Sequence, residues 1–201
     1  HKGDFGNALI VAGSQGKMGA ATLSVKACVR AGTGKTFAYI PSEALAIMQI
    51  AVPEAMCILS DAKDFIAGSI NPEWTDSICF GPGVGKADET ATLLKLLIQQ
   101  AQNPLLIDAD GITILSEHLT WLAFMPSLSI LTPHPKEMDR LLGTSRTSFE
   151  RFEKARAFSQ KYNLIIVLKG AYTAIIIPNG EVYFNSTGNP GMAKGGSGDV
   201  L

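Results

Sequence analysis

Asn7-Ala-Leu-Ile-Val-Ala12, then Gly13-Ser-Gln-Gly-Lys-Met-Gly19, then Ala20–Ala31 follow one another near the start of the chain. The first stretch is short, apolar and bounded by glycine, which marks a buried strand. The second is a glycine-bearing loop, and the third has helical spacing. Strand, loop and helix then recur. Lys35–Ile40, Met56–Leu59, Ser77–Phe80, Leu105-Leu-Ile-Asp-Ala-Asp110, Ser129–Thr132 and Leu164–Leu168 read as further strands. Ser42–Ile50 reads as a short helix capped by Ser42, and Asp88 to about Ala101 as an amphipathic one. Pro135 suits the first position of a helix running on through Met138–Leu142. Thr147-x-x-Glu150 forms a capping box for a helix to about Tyr162. Ala174–Ile177 and Glu181–Phe184 flank Pro178-Asn-Gly180, a hairpin signal. Only Asp61–Trp74 lacks a pattern that assigns it. This alternation predicts an α/β fold: a mainly parallel central sheet, helices on both faces, and a β-hairpin near the C-terminal end.

Composition narrows the function. The 201 residues are enough for one domain with a sizeable core. Seventeen Lys and Arg against 18 Asp and Glu leave a net charge of −1, so no basic surplus points to nucleic acid or an anionic membrane. The apolar runs are far too short to span a bilayer, and no signal peptide opens the chain. Cys28, Cys57 and Cys79 are odd in number and lack metal-ligand spacing, which reads as free core thiols in a reducing, cytoplasmic compartment. Asn185-Ser186-Thr187 fits a glycosylation sequon, read as chance without a secretory signal.

The loops at the strand ends hold the candidate chemistry. Gly32-Thr-Gly-Lys-Thr36 is not a P-loop: the position five residues before its second glycine is Val29, and the segment follows a helix. Gly81-Pro-Gly-Val-Gly85 turns at the end of a strand, where parallel sheets hold ligands. Asp108 and Asp110 fall on one side if the extended backbone continues to the second. Such a pair can hold Mg²⁺ or a ribose, and it can also cap the next helix. His134 stands between two prolines at another strand end, where ligand contact is the better reading.

Thr187-Gly-Asn-Pro-Gly-Met-Ala-Lys-Gly-Gly-Ser-Gly-Asp-Val-Leu201 is the richest stretch. Gly195, Gly196 and Gly198 free the backbone to turn into a helix at Val200, and successive unpaired amides there make an anion site. Asp199 has two readings at that turn: an N-cap, or a base beside the anion hole, as a hydroxyl needs when it attacks a phosphoryl group. The glycines and the Asn-Pro turn in front favour the second. The loops would converge in one crevice.

Taken together, His1-Lys-Gly-Asp-Phe-Gly6, Gly19-Ala-Ala21, Gly81-Pro-Gly83, Asp108-Ala-Asp110, Thr132-Pro-His-Pro135, Lys169-Gly-Ala-Tyr-Thr173 and Gly188-Asn-Pro-Gly…Gly-Gly-Ser-Gly-Asp199 resemble the NAD(P)H-hydrate dehydratase family of the ribokinase-like fold. They occur in family order along the whole chain. The resemblance implies one ribokinase-like dehydratase domain over 1–201, its C-terminal helices missing, with room in the parent for an epimerase domain in front. It implies repair of hydrated NADH or NADPH (NADHX or NADPHX): ADP or ATP phosphorylates the ring hydroxyl, and phosphate is then eliminated. Mg²⁺ and a homo-oligomer are implied as well.

Carried over, Asp199 accepts the hydroxyl proton, and the amides of Gly196, Ser197 and Gly198 hold the transferred charge. Preorganised donors of this kind are worth about 3 kcal/mol each. Lys169, Gly170, Ala171, Tyr172, Thr173 and Gly198 match the adenine-nucleotide contacts. Ala20 or Ala21, Gly83, His134 and Asp199 match contacts to the hydrate, and spacing does not decide between the two alanines. The metal ligands are not evident, Asp110 being the one residue suggested. Two other readings compete: a ribokinase-like kinase for a thiazole or pyrimidine alcohol, and a nucleotide-binding module without catalysis.

Overall fold

The computed structural model describes residues 2–201, so His1 lies outside it. The elements in order are β1 (Asn7–Val11), α1 (Met18–Arg30), β2 (Lys35–Ile40), α2 (Leu45–Ala51), β3 (Met56–Leu59), β4 (Ser77–Phe80), α3 (Asp88–Gln100), β5 (Leu105–Ile107) and α4 (Ala109–Glu117). They continue with β6 (Ile130–Leu131), α5 (Pro135–Leu142), α6 (Ser148–Tyr162), β7 (Ile165–Leu168), β8 (Thr173–Ile176), β9 (Val182–Asn185) and the single turn α7 (Ser197–Val200).

The strands form one sheet in the order β3-β2-β1-β4-β5-β6-β7-β8-β9. Every pair from β3 to β7 is parallel, whereas β7–β8 and β8–β9 are antiparallel, as an Asn-Gly turn at 179–180 allows. The chain runs outward from β1 through β2 to β3, then returns to the other flank of β1 at β4. That reversal is the switch point at which an open α/β sheet leaves a crevice.

Alternate residues sort the faces. Leu9, Val11, Ile78, Phe80, Leu105, Ile107, Leu131 and Ile166 pack under α3–α6, in one core with Leu93, Leu97, Ile112 and Met138. Each such side chain contributes about 1.5–3 kcal/mol on burial. Ile10, Ala12, Ala38 and Ile40 pack under α1 and α2 with Val25 and Met48. On that second face Cys79, Leu106, Ile130 and Val167 are only half-buried. The three cysteines are free, as expected, but half-buried rather than in the core. No described helix is long and apolar enough to cross a membrane.

Gly81 fixes how β4 meets the next crossover. Its φ is +132°, and a β-carbon there would land on the carbonyl oxygen of Asp108. The turn after β5 therefore lies directly on the end of β4.

Three local expectations are corrected. Ser42 is not a cap: Pro41 precedes a 3₁₀ turn over Ser42–Ala44, and the Ser42 hydroxyl donates to the Ala62 carbonyl. Thr147 caps α6 through its Oγ1, but the Glu150 carboxylate accepts from the Arg146 amide, one residue short of a full box. Asp108 and Asp110 do not share a side, because the extended backbone ends at Asp108, Ala109 turns left-handed at φ +48°, and Asp110 already lies in the first turn of α4.

Candidate phosphoryl-transfer site

The glycine-rich stretch builds a turn with its donors free. The Asn189 side chain accepts from the Gly191 amide and holds the short helical turn Pro190–Met192. Gly196 then takes φ +89° as the N-cap of α7, a conformation that favours glycine. The amides of residues 195–199 have no partner outside this turn among the described residues. Asp199 is the third residue of α7, so it is not the cap, and among the described residues its partly exposed carboxylate accepts no hydrogen bond. Desolvation raises its pKa above the usual value, Asp108 adds to the rise, and Lys169 opposes it.

Lys169, at the end of β7, approaches the same turn. Its Nζ lies 2.6 Å from Asp108 Oδ1, and the Asp108 side chain is only 7 % exposed. The same ammonium is 3.6 Å from where a β-carbon on Gly198 would stand, which puts it in van der Waals reach of the turn. A cavity of about 260 Å³ lies alongside; its wall is largely apolar, with Ile10, Ala27 and Leu106, and it also includes Asp108, Thr132, Pro82, Gly198 and Asp199. The loop after β7 is braced by reciprocal contacts between Thr173 Oγ1 and the Gly170 backbone, and it packs on Gly188, where a β-carbon would strike the Ala171 carbonyl. Tyr172 is 71 % exposed at its tip.

The switch point forms the second wall. The Gly13 amide donates to the Pro82 carbonyl at 2.8 Å, and Ser14 Oγ donates to the Gly83 carbonyl at 2.7 Å. Asp110 Oδ2 accepts from Lys17 Nζ and from the Gly85 amide, each at 2.9 Å. The loops after β1 and β4 are thus tied together. Ala20 stands beside Gly83 in this wall, whereas Ala21 is fully buried against Gly13 and Val25 and cannot meet a ligand.

His134 caps α5. Its Nδ1 accepts from the Lys136 and Glu137 amides, the His134 amide donates to Glu137 Oε2, and Nε2 lies 3.3 Å from Glu137 Oε1. Two amides on Nδ1 assign the proton to Nε2. Burial raises the Glu137 pKa, with the His134 amide opposing.

A resident metal finds no ready ligand set. Asp108 is paired with Lys169, and Asp110, the residue suggested for Mg²⁺, is taken up by Lys17 and Gly85. Among the described residues no group of three His, Cys, Asp or Glu side chains gathers. The free groups around the turn are N–H donors, which suit anions. Mg²⁺ fits here only as the counter-ion of nucleotide phosphates, a role it commonly takes.

Amide cradle, carboxylate and ammonium therefore meet at the end of a parallel sheet, with Pro82 bringing the switch-point wall to the same cavity. Sheet order and site define a ribokinase-like protein. A ribokinase-like superfamily protein from Enterococcus faecalis superposes with a TM-score of 0.82 over all of this chain and 69 % of that one, at 28 % identity. Residues 8–201 match the family model for NAD(P)H-hydrate dehydratase, and the chain belongs to that family. It is 38 % identical to a bifunctional NAD(P)H-hydrate repair enzyme of Moorella thermoacetica, over all of this chain and 40 % of that one. Identity is also 38 % to an ADP-dependent (S)-NAD(P)H-hydrate dehydratase of Neisseria meningitidis, over all of this chain and 68 % of the relative. An ADP/ATP-dependent NAD(P)H-hydrate dehydratase of Bacillus subtilis, co-crystallised with ATP and Mg²⁺, aligns at TM-score 0.81 and 28 % identity, over all of this chain and 70 % of that one. The chain thus spans about 40 % of the bifunctional relatives' length.

Sequence reasoning did not find the Asp108–Lys169 pair, Thr132 as a cavity wall, Glu137 or the seat of the loop after β7 on Gly188. Only Glu137 carried a local signal: it falls three residues after His134, the spacing of a capping box.

Proposed function

We propose that this protein is a hydro-lyase of nicotinamide cofactor repair, restoring NADH or NADPH from its hydrate with ADP or ATP as phosphoryl donor. The observation that carries the reading is Asp199: an unpaired carboxylate with a raised pKa, beside free amides and the Lys169 ammonium. Asp199 takes the proton of the ring hydroxyl as its oxygen attacks the terminal phosphorus. The amides of residues 196–198 hold the charge on the migrating phosphoryl group, and the nucleotide leaves. Loss of phosphate from the ring carbon, and of a proton from its neighbour, restores the double bond. Hydroxide leaves poorly and phosphate well, which is why a donor is consumed.

Lys169, the 170–173 loop and Gly198 hold the nucleotide, while Ala20, Gly83 and His134 face the hydrate. The nucleotide phosphates would carry Mg²⁺, which would supply charge neutralisation there. The longer bifunctional relatives leave room for an epimerase domain in the parent, and a homo-oligomer is the assembly the family resemblance implies.

The test incubates the full-length protein with NADHX or NADPHX, Mg²⁺ and ADP or ATP in turn. Return of reduced-nicotinamide absorbance with release of inorganic phosphate is expected. A stable phosphate ester in its place would identify a kinase of a small alcohol instead.

A further inference from the structure

Asp108 is the partner of a nucleotide-site lysine and has no task in the reaction as written. It occupies the N-cap position of α4, yet its carboxylate accepts no amide of that helix. A cap forgone is a cost to the helix. The next residue, Ala109, sits at φ +48°, a left-handed and strained conformation for a non-glycine residue. Replacing a buried ion pair by apolar side chains of the same size is often neutral or stabilising, so stability alone does not account for these charges. The Thr132 hydroxyl, on the neighbouring strand end, is buried without a partner and lines the same cavity.

We propose that Asp108 is a positioning residue of the phosphoryl-transfer centre: it holds the Lys169 ammonium against Gly198 until a phosphoryl group draws the ammonium away, and its uncovered charge then acts on Asp199. In the empty site Lys169 neutralises Asp108 and leaves Asp199 the weaker base. With phosphate bound, the ammonium turns to the anion, and the Thr132 hydroxyl is the donor in reserve for the carboxylate left behind. Asp199 becomes the stronger base when the hydroxyl has arrived.

The groups that face Asp199 are few. Asp108 comes from the end of β5 and Lys169 from the end of β7. Cys28 of α1 and Cys79 of β4 line the same cavity. Burial and then Asp108 push the Cys79 thiol up to about 12, so it stays neutral in the working range. Glu137 of α5 feels both Lys169 and Asp108, and His134 is in contact with it.

The inference rests on the reading of Asp199 as base, and the experiment separates the two. The titration of the Asp199 carboxyl is followed by carbon NMR in the full-length protein, with Asp199→Asn assigning the signal. Asp108→Asn is expected to shift the titration to lower pH and Lys169→Met to higher pH. Asp108→Glu is expected to return it toward the wild type. The acid limb of the kcat/KM profile for NADHX should move in the same directions. A titration that stays in place in Asp108→Asn overturns the proposal, since a purely structural role for Asp108 predicts no movement. Should Asp108→Asn fail to fold, Lys169→Met makes the same test from the other side, an unmoved titration again overturning it. If the shifts appear but the wild type restores no NADH, the dehydratase reading falls and the coupling of the three side chains stands.

Discussion

Gly83 lies against Ala20: a β-carbon on Gly83 would stand 3.1 Å from the Ala20 β-carbon and 3.0 Å from the Lys17 carbonyl oxygen, at a φ of +67°. The helix that follows β1 and the loop that follows β4 therefore meet at a point with room for no further side chain. Gly83→Ala should strain this wall and narrow the hydrate side of the crevice. A KM for NADHX raised by about tenfold or more, with ADP affinity within twofold of the wild type, is the expected result. Steady-state kinetics beside calorimetric titration with ADP measure both, and equal loss of both affinities would place Gly83 outside the hydrate pocket.

His134 caps α5, and one substitution can part that role from the proposed contact with the hydrate. Asparagine is a strong N-cap, so His134→Asn keeps an acceptor for the Lys136 and Glu137 amides while removing the ring. Stability should change by less than about 1 kcal/mol in urea melts, whereas KM for the hydrate rises. An unchanged KM would leave His134 a cap and nothing more.

Asp199→Ala in the full-length protein should lower kcat by roughly 10²–10⁴, the span a positioned base supplies. Nucleotide affinity should hold, because the amide cradle does not depend on that side chain. Near-normal turnover would remove Asp199 from the role of base.

Glu137 offers a pH dependence with a definite sign. Its folded pKa is raised by burial, so the folded state holds the proton more tightly than the unfolded chain. The stability this gives is present in full below the ordinary glutamate value of 4.5 and is lost as pH climbs through the raised one. Glu137→Gln keeps an acceptor for the His134 amide and cannot ionise. The variant's stability relative to the wild type should therefore grow as pH rises from about 4.5. Denaturant midpoints at a series of pH values record it, and a difference independent of pH would refute the assignment.

Much of this architecture was legible because the strands are short apolar runs between turn-formers. Lys35–Ile40, Met56–Leu59 and Ser77–Phe80 hold to the residue. Caps were harder, since capping depends on where the first turn lies. Ser42 went to the Ala62 carbonyl once Pro41 had set the entry. The 61–74 stretch had no period to read because side chains far along the chain hold it in place. The Tyr39 hydroxyl donates to the Ala67 carbonyl, and the Thr90 hydroxyl donates to the Ile66 carbonyl. The site divides in the same way. Glycines and the Asp199 carboxylate announce themselves locally, but Lys169 meets Asp108 across 61 positions, and spacing carries no trace of that. Likewise, which of two adjacent alanines lies beside Gly83 and which is buried follows only from the helix's rotation against β1.

The return of the chain to β1 has a bearing on how the molecule comes to be made. Asn7 is held by the Asp76 carboxylate, and Ala8 pairs with Ser77, 69 residues further on. On a ribosome, then, β1 waits with one flank bare while α1 to β3 emerge and gather on the other. An apolar edge without a neighbour invites strangers. Nascent chains halted before residue 77 are the species for which a chaperone would be most needed.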